Sequence, residues 1–285
     1  MLNISKLEAY KIPDTVQTVT KRDTMLYAVG AGYGFDPMDE GQLQYCTEKA
    51  LRPLPTMTTV ICSPHSWIKK ADVGSSGKSV HAGIHVKMLR PLPVEGTFQG
   101  VCELHEVIDK GPGKHALVTV RRTAHLEGER EPIFEITSTS MLRGDGGFGG
   151  STESRDPEPA RPEGEPDLTC DLPTVPQQAL VYRLSGDYNP LHSDPETAKK
   201  QGFPRPILHG LCTFGVAGHA LIRSLCGYDS SRLVEIGGRF TKPVYPGETL
   251  RTKIWRKGND IDFVVTVPSR EDVVVFDFGK AKIAG

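Results

Sequence analysis

Two pairs of similar segments recur at nearly the same spacing, and this repeat constrains the fold more than any other feature. RPLPVEGTF (90–98) resembles KPVYPGETL (242–250), and MLYAVGAG (25–32) aligns with LVYRLSGD (180–187). The offsets are 152 and 155 residues, as expected after a duplication with small insertions. The sequence therefore predicts two related domains, with chance similarity between short strings as the alternative.

A break in composition separates the two copies. Residues 143–173 are rich in Gly, Pro, Glu and Asp and lack apolar periodicity, which is typical of a loop or linker. We therefore predict an N-terminal repeat over 1–145, a linker over 146–172 and a C-terminal repeat over 173–285. Each repeat has the size of an ordinary domain.

Both copies contain strands, but only the second contains a clear long helix. Period-two alternation of apolar residues predicts half-buried strands; the segments are 101–111, 116–126, 133–142, 250–260 and 261–267. Residues 207–225, after Pro206, predict a helix that is apolar all round and therefore buried on most sides, with glycines that allow close approach to its backbone. In the first copy, residues 40–61 are interrupted by Pro53 and Pro55. This pattern predicts an α+β fold in which a sheet wraps around a helix.

Charge and targeting features exclude several classes of protein. The formal net charge is −1 without a long basic run, which argues against nucleic acid or an anionic membrane as the main partner. The sequence contains no run of 18 apolar residues, so we predict no membrane span. The N-terminus lacks the apolar core of a secretory signal, and the C-terminus, AKIAG, is not a peroxisomal address. We expect a cytoplasmic location, with a peroxisomal one as the alternative.

The segment RLSGDYNPLH (183–192) is the first candidate for a catalytic loop. It places an acid, an amide and an imidazole, those of Asp187, Asn189 and His192, within six residues. Gly186 permits unusual backbone angles and Pro190 fixes a turn, so all three side chains can point into one cavity. Asp and His can hold a water molecule and act as acid or base. The alternative is a polar loop whose Asp and Asn cap a turn.

The segment PILHGLC (206–212) is the second candidate, because it opens the long helix. Backbone N–H groups at a helix start lack partners and carry partial positive charge. Gly210 has no side chain to block a ligand oxygen there, so the segment resembles an oxyanion hole for a carbonyl that develops negative charge. For His209 a structural role is the favoured interpretation. His192, Asp194 and His209 match no standard zinc spacing, and we predict no metal site.

Together these segments resemble one known family. YRLSGDYNPLH (182–192) followed by GFPRPILHGLCTFG (202–215) is similar to the signature of the MaoC-like hydratase 2 family, the R-specific 2-enoyl-CoA hydratases. The resemblance extends over nearly the whole chain outside the linker. It includes RFTKPVYPGETL (239–250) and VHAGIHVKMLRPLP (80–93), together with VIDKG (107–111) and GDGGFGG (144–150).

The resemblance implies a double hot dog fold, whose central helix is intact mainly in the C-terminal repeat. It implies reversible hydration of trans-2-enoyl-CoA to (3R)-3-hydroxyacyl-CoA. Asp187 and His192 would activate the water, Asn189 would orient the site, and the Gly210 N–H would polarise the thioester oxygen.

The implied partner is an acyl-CoA thioester. CoA is part of the substrate, so no cofactor is implied, and a homodimer is expected by analogy. The implied substrate-binding residues are His81, Ala82, Lys110, Asp187, Tyr188, Asn189, Pro190, Leu191, His192, Gly210 and Phe240. The family usually has His-Gly where this chain has His81-Ala82, so a methyl group narrows that contact.

Three other functions share this kind of fold. A dehydratase of acyl-carrier-protein-linked synthesis would use the same chemistry with a protein-bound substrate. A hot dog thioesterase would hydrolyse the thioester instead. A non-catalytic acyl-CoA-binding subunit would bind the substrate without turnover, although a dead copy should resemble the first repeat, which lacks the polar loop.

Overall fold

A computed structural model describes residues 1–74, 79–155 and 159–285. Within them, ten strands form one sheet in the order β1-β3-β4-β5-β2-β7-β10-β9-β8-β6. The strands are β1 (Thr15–Val19), β2 (Ser79–Met88), β3 (Gly96–Asp109), β4 (Ala116–Leu126), β5 (Phe134–Leu142), β6 (Leu168–Pro173), β7 (Leu233–Phe240), β8 (Thr249–Lys257), β9 (Asp260–Val267) and β10 (Val273–Ile283). All strand pairs are antiparallel.

Seven α-helices are described, and one of them is long. They are α1 (Ile4–Ala9), α2 (Lys21–Gly30), α3 (Glu40–Leu43), α4 (Trp67–Ala71), α5 (Gln178–Tyr182), α6 (Pro195–Lys200) and α7 (Gly210–Leu225). Short 3₁₀ turns lie at Glu48–Ala50, Pro55–Thr59, Arg183–Ser185, Pro190–His192, Ser230–Arg232 and Pro268–Arg270. In the described ranges, no helix combines the length and apolar character needed to cross a bilayer.

The predicted strands are confirmed, because β3, β4, β5, β8 and β9 lie over the predicted segments. The burial of alternate residues explains why their sequences alternate. In β8, for example, Leu250, Thr252 and Ile254 are buried while the residues between them are partly exposed. β9 departs from this pattern: Ile261 through Val267 are all buried. β9 lies between β8 and β10, and the sheet is therefore covered on both faces there.

The two repeats join at one pair of strands in the middle of the sheet. β2 pairs with β7 from Gly83 opposite Arg239 to Lys87 opposite Glu235. The two segments that align at 25–32 and 180–187 meet in space, since the Tyr27 and Tyr182 rings lie 5.9 Å apart. A Cβ at Gly30 would lie 3.2 Å from the Tyr182 Cα. The similarity in sequence thus corresponds to two helical segments that pack against each other.

The long helix α7 lies at the centre, as predicted, but it starts later. Residues 207–225 were expected to be helical after Pro206, whereas α7 begins at Gly210, with His209 as its N-cap. The glycines of α7 do permit close packing: a Cβ at Gly218 would lie 2.6 Å from the Thr56 Cγ2. The side of α7 that bears Gly218 therefore packs directly against the first repeat.

The first repeat has only a short turn where the second has a long helix. The 3₁₀ turn Pro55–Thr59 is buried and contacts α7 through Thr56. Proline at residues 53 and 55 disfavours a helix here, because it lacks the N–H donor and restricts the residue before it. The expectation that the central helix is intact mainly in the C-terminal repeat is confirmed.

The linker prediction over 146–172 extends too far. Residues 168–172 belong to β6, which pairs with β8 from Leu168 opposite Ile254 to Pro173 opposite Thr249. The short alternating stretch LTCDLP buries only Cys170 and Leu172, and this weak signal is hidden by the polar residues before it. Residues 156–158 of the linker lie outside the described residues.

Candidate active site

The loop 183–192 folds around its own backbone hydrogen bonds. Gly186 has φ of +122°, a conformation that glycine adopts without steric cost. Asp187 Oδ1 accepts a bond from the Asn189 N–H at 3.2 Å, and Asn189 Oδ1 accepts one from the Leu191 N–H at 3.1 Å. The turn-capping interpretation is therefore correct for both side chains. It does not exclude chemistry, because Asp187 keeps a second oxygen for a ligand.

Asp187, His192 and His209 lie around a common point. One polar side-chain atom from each lies within 4.8 Å of the other two. The imidazoles of His192 and His209 stack with centroids 3.8 Å apart. Three polar atoms within 4.8 Å of one another can surround one small ligand, such as a water molecule. Asp194, which was considered with the two histidines as a zinc ligand, does not belong to this group. Its side chain instead caps α6, where it accepts bonds from the Glu196 and Thr197 N–H groups.

Each of the two histidines is fixed by one main-chain carbonyl. His192 Nδ1 donates to the Ile207 carbonyl at 2.9 Å, and His209 Nε2 donates to the Asp187 carbonyl at 3.1 Å. Since a carbonyl can only accept, the neutral His192 ring carries its lone pair on Nε2. His192 can therefore accept a proton from water. His209 orients the backbone of Asp187, which agrees with the structural role favoured for it.

Burial keeps the histidines of the site neutral at physiological pH. Loss of hydration lowers the pKa of His192, although the Ile207 carbonyl and the Asp187 charge oppose this effect. Burial and the neighbouring His192 lower the pKa of His209 to about 4. Burial likewise lowers the pKa of His81 to about 4. The pKa of His192 below its usual value leaves it in the base form near pH 7.

The start of α7 lies beside Phe240, which forms part of the same site. A Cβ at Gly210 would lie 3.1 Å from Cε1 of the Phe240 ring. The first N–H groups of α7 that find an acceptor are those of Cys212 and Thr213, which both donate to the His209 carbonyl. The Gly210 N–H comes before them and has no acceptor within the helix. Glycine thus leaves this donor without a side chain of its own to cover it beside the Phe240 ring.

His81 extends the site into the first repeat. Its ring lies 5.0 Å from the Phe240 ring, and its Nε2 is 3.0 Å from the Ser138 Oγ. The pairing of β2 with β5 shifts between His81 and Gly83, so Ala82 occupies a β-bulge. Bulges re-aim neighbouring side chains, and the methyl group of Ala82 lies at this irregular point.

The other predicted substrate-binding residues line the outside of the loop or lie apart from it. Tyr188, Asn189 and Pro190 are exposed and Leu191 is half-buried. Lys110 is exposed in the turn between β3 and β4, where its N–H bonds to the His115 carbonyl. Their contacts with CoA stay predictions.

Sequence inspection missed two residues beside the loop. His65 Nε2 lies 3.7 Å from the position of a Cβ at Gly186, and the Arg183 guanidinium lies 4.8 Å from the centre of the Tyr188 ring. Arg183 is the first residue of the loop 183–192, and its position four residues before Asp187 is a signal that the sequence does contain. His65 comes from the other repeat, and no local pattern marks it.

The buried histidines predict a loss of stability in mild acid. Burial lowers the pKa of His209 to about 4 and that of His219 to about 3, whereas an unfolded His titrates near pH ~6.5. The unfolded chain therefore binds more protons below that pH. We expect the free energy of unfolding to be undiminished above pH ~6.5 and to fall as the pH drops toward 4. Urea titrations from pH 8 to 5 would measure this.

A variant isolates the contribution of one histidine. The His219 ring stacks on Tyr33 with centroids 3.6 Å apart, so His219→Phe keeps the stack and removes the titrating group. We expect a shallower pH dependence of the urea midpoint in this variant. An unchanged slope would show that His219 does not contribute.

Comparison with known proteins agrees with the two-repeat architecture. Residues 17–144 match the family described as MFE-2 hydratase 2 N-terminal domain, and residues 158–274 match the family described as MaoC like domain. The first match lies within the predicted N-terminal repeat. The second begins in the predicted linker and covers most of the C-terminal repeat.

Two curated relatives and one solved structure are similar over most of their length. The chain is 43% identical to 3-hydroxyacyl-thioester dehydratase Y of Mycobacterium tuberculosis over 83% of this chain and 82% of that protein. It is 36% identical to the peroxisomal enoyl-CoA hydratase 2 of Arabidopsis thaliana, over 96% and 93%. The crystal structure of a MaoC-like dehydratase from Phytophthora capsici superimposes with a TM-score of 0.86 at 32% identity, over 99% of both chains.

The fold and these similarities lead to one assignment. Two repeats that share one sheet, with a central helix in the second, form the double hot dog arrangement. Relatives well above 30% identity cover more than two thirds of the chain. The chain therefore belongs to the MaoC-like hydratase 2 family.

Proposed function

We propose that this protein adds water reversibly to trans-2-enoyl-CoA and forms (3R)-3-hydroxyacyl-CoA. The observation that carries this proposal is the convergence of Asp187 and His192 within 4.8 Å, next to the start of α7. Asp187 and His192 can hold a water molecule and accept its proton beside a free N–H donor. This arrangement suits the addition of water to a double bond that is conjugated with a thioester. The relative from Arabidopsis thaliana that is named enoyl-CoA hydratase 2 supports the same reaction.

Each group has a defined part in the proposed reaction. Asp187 and His192 hold one water molecule, and the pair accepts a proton as the water oxygen bonds to C3. The electrons of the C2–C3 double bond then shift toward the thioester oxygen, which accepts a hydrogen bond from the Gly210 N–H. The proton returns to C2, and the thioester is restored. The reverse sequence removes water from the hydroxyacyl thioester.

Three further features complete the proposal: the cofactor, the oligomeric state and the location. Hydration changes no oxidation state overall, and Asp187 and His192 can accept the proton released when the water O–H bond breaks, so we propose that no cofactor is used beyond the CoA of the substrate. We also propose a homodimer, by analogy with other hot dog proteins. A cytoplasmic location is proposed, with a peroxisomal one as the alternative.

A 3-hydroxyacyl-[acyl-carrier-protein] dehydratase is the second candidate function. The Mycobacterium tuberculosis relative is named a 3-hydroxyacyl-thioester dehydratase, and its name does not specify the carrier. The same residues would catalyse dehydration, because a catalyst acts on both directions of a reaction. The two candidates differ in whether CoA or a carrier protein bears the acyl group.

The decisive experiment uses trans-2-decenoyl-CoA and purified protein. We expect loss of the enoyl absorbance without release of free CoA, and a single (3R) product on a chiral column. Turnover confined to carrier-bound substrate would favour the dehydratase. Free CoA would indicate a thioesterase, and binding without turnover would indicate a non-catalytic subunit.

A further inference from the structure

The inner face of β4 changes from apolar to polar beside the candidate site. Alternate residues of a strand share one face of the sheet. On this face of β4, Ala116, Val118 and Val120 belong to one apolar cluster and Ala124 belongs to another. Between them stands Arg122, which is buried with 5% of its surface exposed. A charged residue thus separates two hydrophobic clusters.

The neighbouring strand changes in the same place. β4 and β5 pair in regular register, with Arg122 opposite Ile136 and Val120 opposite Ser138. Ile136 and Leu142 are buried in the apolar clusters, whereas Ser138 and Ser140 between them are hydroxyl-bearing and half-buried. We define Arg122, Ser138 and Ser140 as the polar strip.

Arg122 carries a positive charge that has no counter-anion among the residues that the structure describes. Its Nη2 donates to the carbonyls of Thr58 and Thr59 at 3.0 and 3.1 Å, and its Nε has no acceptor among the described residues. Burial lowers the pKa of Arg122 to about 10, so the group remains charged at neutral pH. No carboxylate in residues 1–74, 79–155 and 159–285 forms an ion pair with it.

The two carbonyl bonds explain only part of this arrangement. They satisfy the end of the short turn Pro55–Thr59, and a neutral donor could do the same. A buried charge is costly unless it is paired and hydrogen-bonded. The unused Nε and the charge without an ion-pair partner among the described residues therefore leave Arg122 able to bind an anion.

The polar strip is continuous with the candidate active site. Ser138 Oγ lies 3.0 Å from His81 Nε2, and the His81 ring lies 5.0 Å from the Phe240 ring. Phe240 in turn borders Gly210, at 3.1 Å from the position of its Cβ. A chain of contacts thus leads from the proposed oxyanion donor to Ser138, and Arg122 lies further along the same face of the sheet, opposite Ile136.

We propose that the polar strip binds a carboxylate at the far end of the acyl chain, so that preferred substrates are enoyl-CoA thioesters of dicarboxylic acids. This inference rests on the proposed function and specifies its substrate class. The thioester oxygen already has the Gly210 N–H as its donor. The phosphates of CoA are multiply charged and strongly hydrated, so they fit a buried position poorly. The end of the acyl chain is the remaining part of the substrate that can supply a single anion there.

The experiment compares two substrates of equal length. The purified full chain is assayed with trans-2-octenoyl-CoA and with trans-2-octenedioyl-CoA, which adds only the terminal carboxylate. We expect kcat/KM to be at least ~10-fold higher for the dicarboxylic substrate, as hydrogen bonds to a charged group allow. This comparison in the unaltered protein does not depend on whether a variant folds.

Two variants on adjacent residues provide the matched control. Arg122→Met should remove the preference and lower kcat/KM for the dicarboxylic substrate by ~10–100-fold, with less than ~3-fold effect on octenoyl-CoA. Arg121→Met should change neither value, because Arg121 lies on the opposite face and pairs with the exposed Glu103. If Arg122→Met does not fold, Arg122→Lys should retain the charge and part of the preference.

The outcomes separate this inference from the proposed function. Hydration of octenoyl-CoA without preference for the carboxylate would overturn the inference alone, and Arg122 would then be a structural cap. An equal loss on both substrates in folded Arg122→Met would overturn it as well. No hydration of either thioester would refute the proposed function itself.

Discussion

Replacing Asp187 with asparagine is expected to lower kcat for hydration by ~10²–10⁴-fold, the usual contribution of one general acid or base. The amide is nearly isosteric and can still accept the bond that Asp187 Oδ1 receives from the Asn189 N–H, so the loop should keep its shape. What it loses is the carboxylate that we propose accepts a proton from the reacting water. Steady-state assays on trans-2-decenoyl-CoA would measure the loss, with thermal unfolding as the check on folding.

Asp194→Asn is the matched control for this substitution. Asp194 stands seven residues further along and caps α6, and asparagine caps helices equally well. We expect its kcat to stay within ~2-fold of the unaltered protein, as for a conservative change at a cap. His192→Gln should resemble Asp187→Asn. Unaltered turnover in either folded variant would refute the catalytic assignment.

The fold could be predicted from sequence because its signals are local and repeated. Alternation in segments such as 116–126 matches β4 to the residue, and the apolar run after Pro206 marks α7. The start of α7 was misplaced by three residues, since apolar character continues through Ile207 and Leu208 although the helix begins only at Gly210. Periodicity identifies an element better than it identifies its ends.

The candidate site could be predicted only where its residues stand together in the chain. Asp187, Asn189 and His192 lie in one loop, and their spacing suggests a shared function. Arg122 and His65 belong to the other repeat, and only the pairing of distant strands and the packing of loops bring them toward this site. Arg122 stands in phase with the apolar residues of its alternating strand and Arg121 does not, but alternation alone does not connect Arg122 with a loop that lies about sixty residues further along the chain.

The second large effect is expected at Gly210, where alanine should lower kcat by ~10²–10³-fold, the scale for loss of one oxyanion donor. The substitution retains the N–H group, so it tests access rather than chemistry. The new methyl group would lie 3.1 Å from Cε1 of Phe240 and 3.2 Å from its Cδ1. It would therefore narrow the space beside the N–H group that we propose as the donor to the thioester oxygen.

A second substitution distinguishes two physical causes of this loss. If crowding against the Phe240 ring displaces the start of α7, then Phe240→Leu should relieve it and restore turnover in the double variant. If instead the methyl group covers the N–H donor, the double variant should stay as slow as Gly210→Ala. We expect the second result, because a flexible contact with one ring edge can adjust by a few tenths of an ångström, whereas a covered donor cannot be bypassed. Full activity in Gly210→Ala alone would show that the thioester oxygen is bound elsewhere, and the mechanism would then lack its electrophilic group.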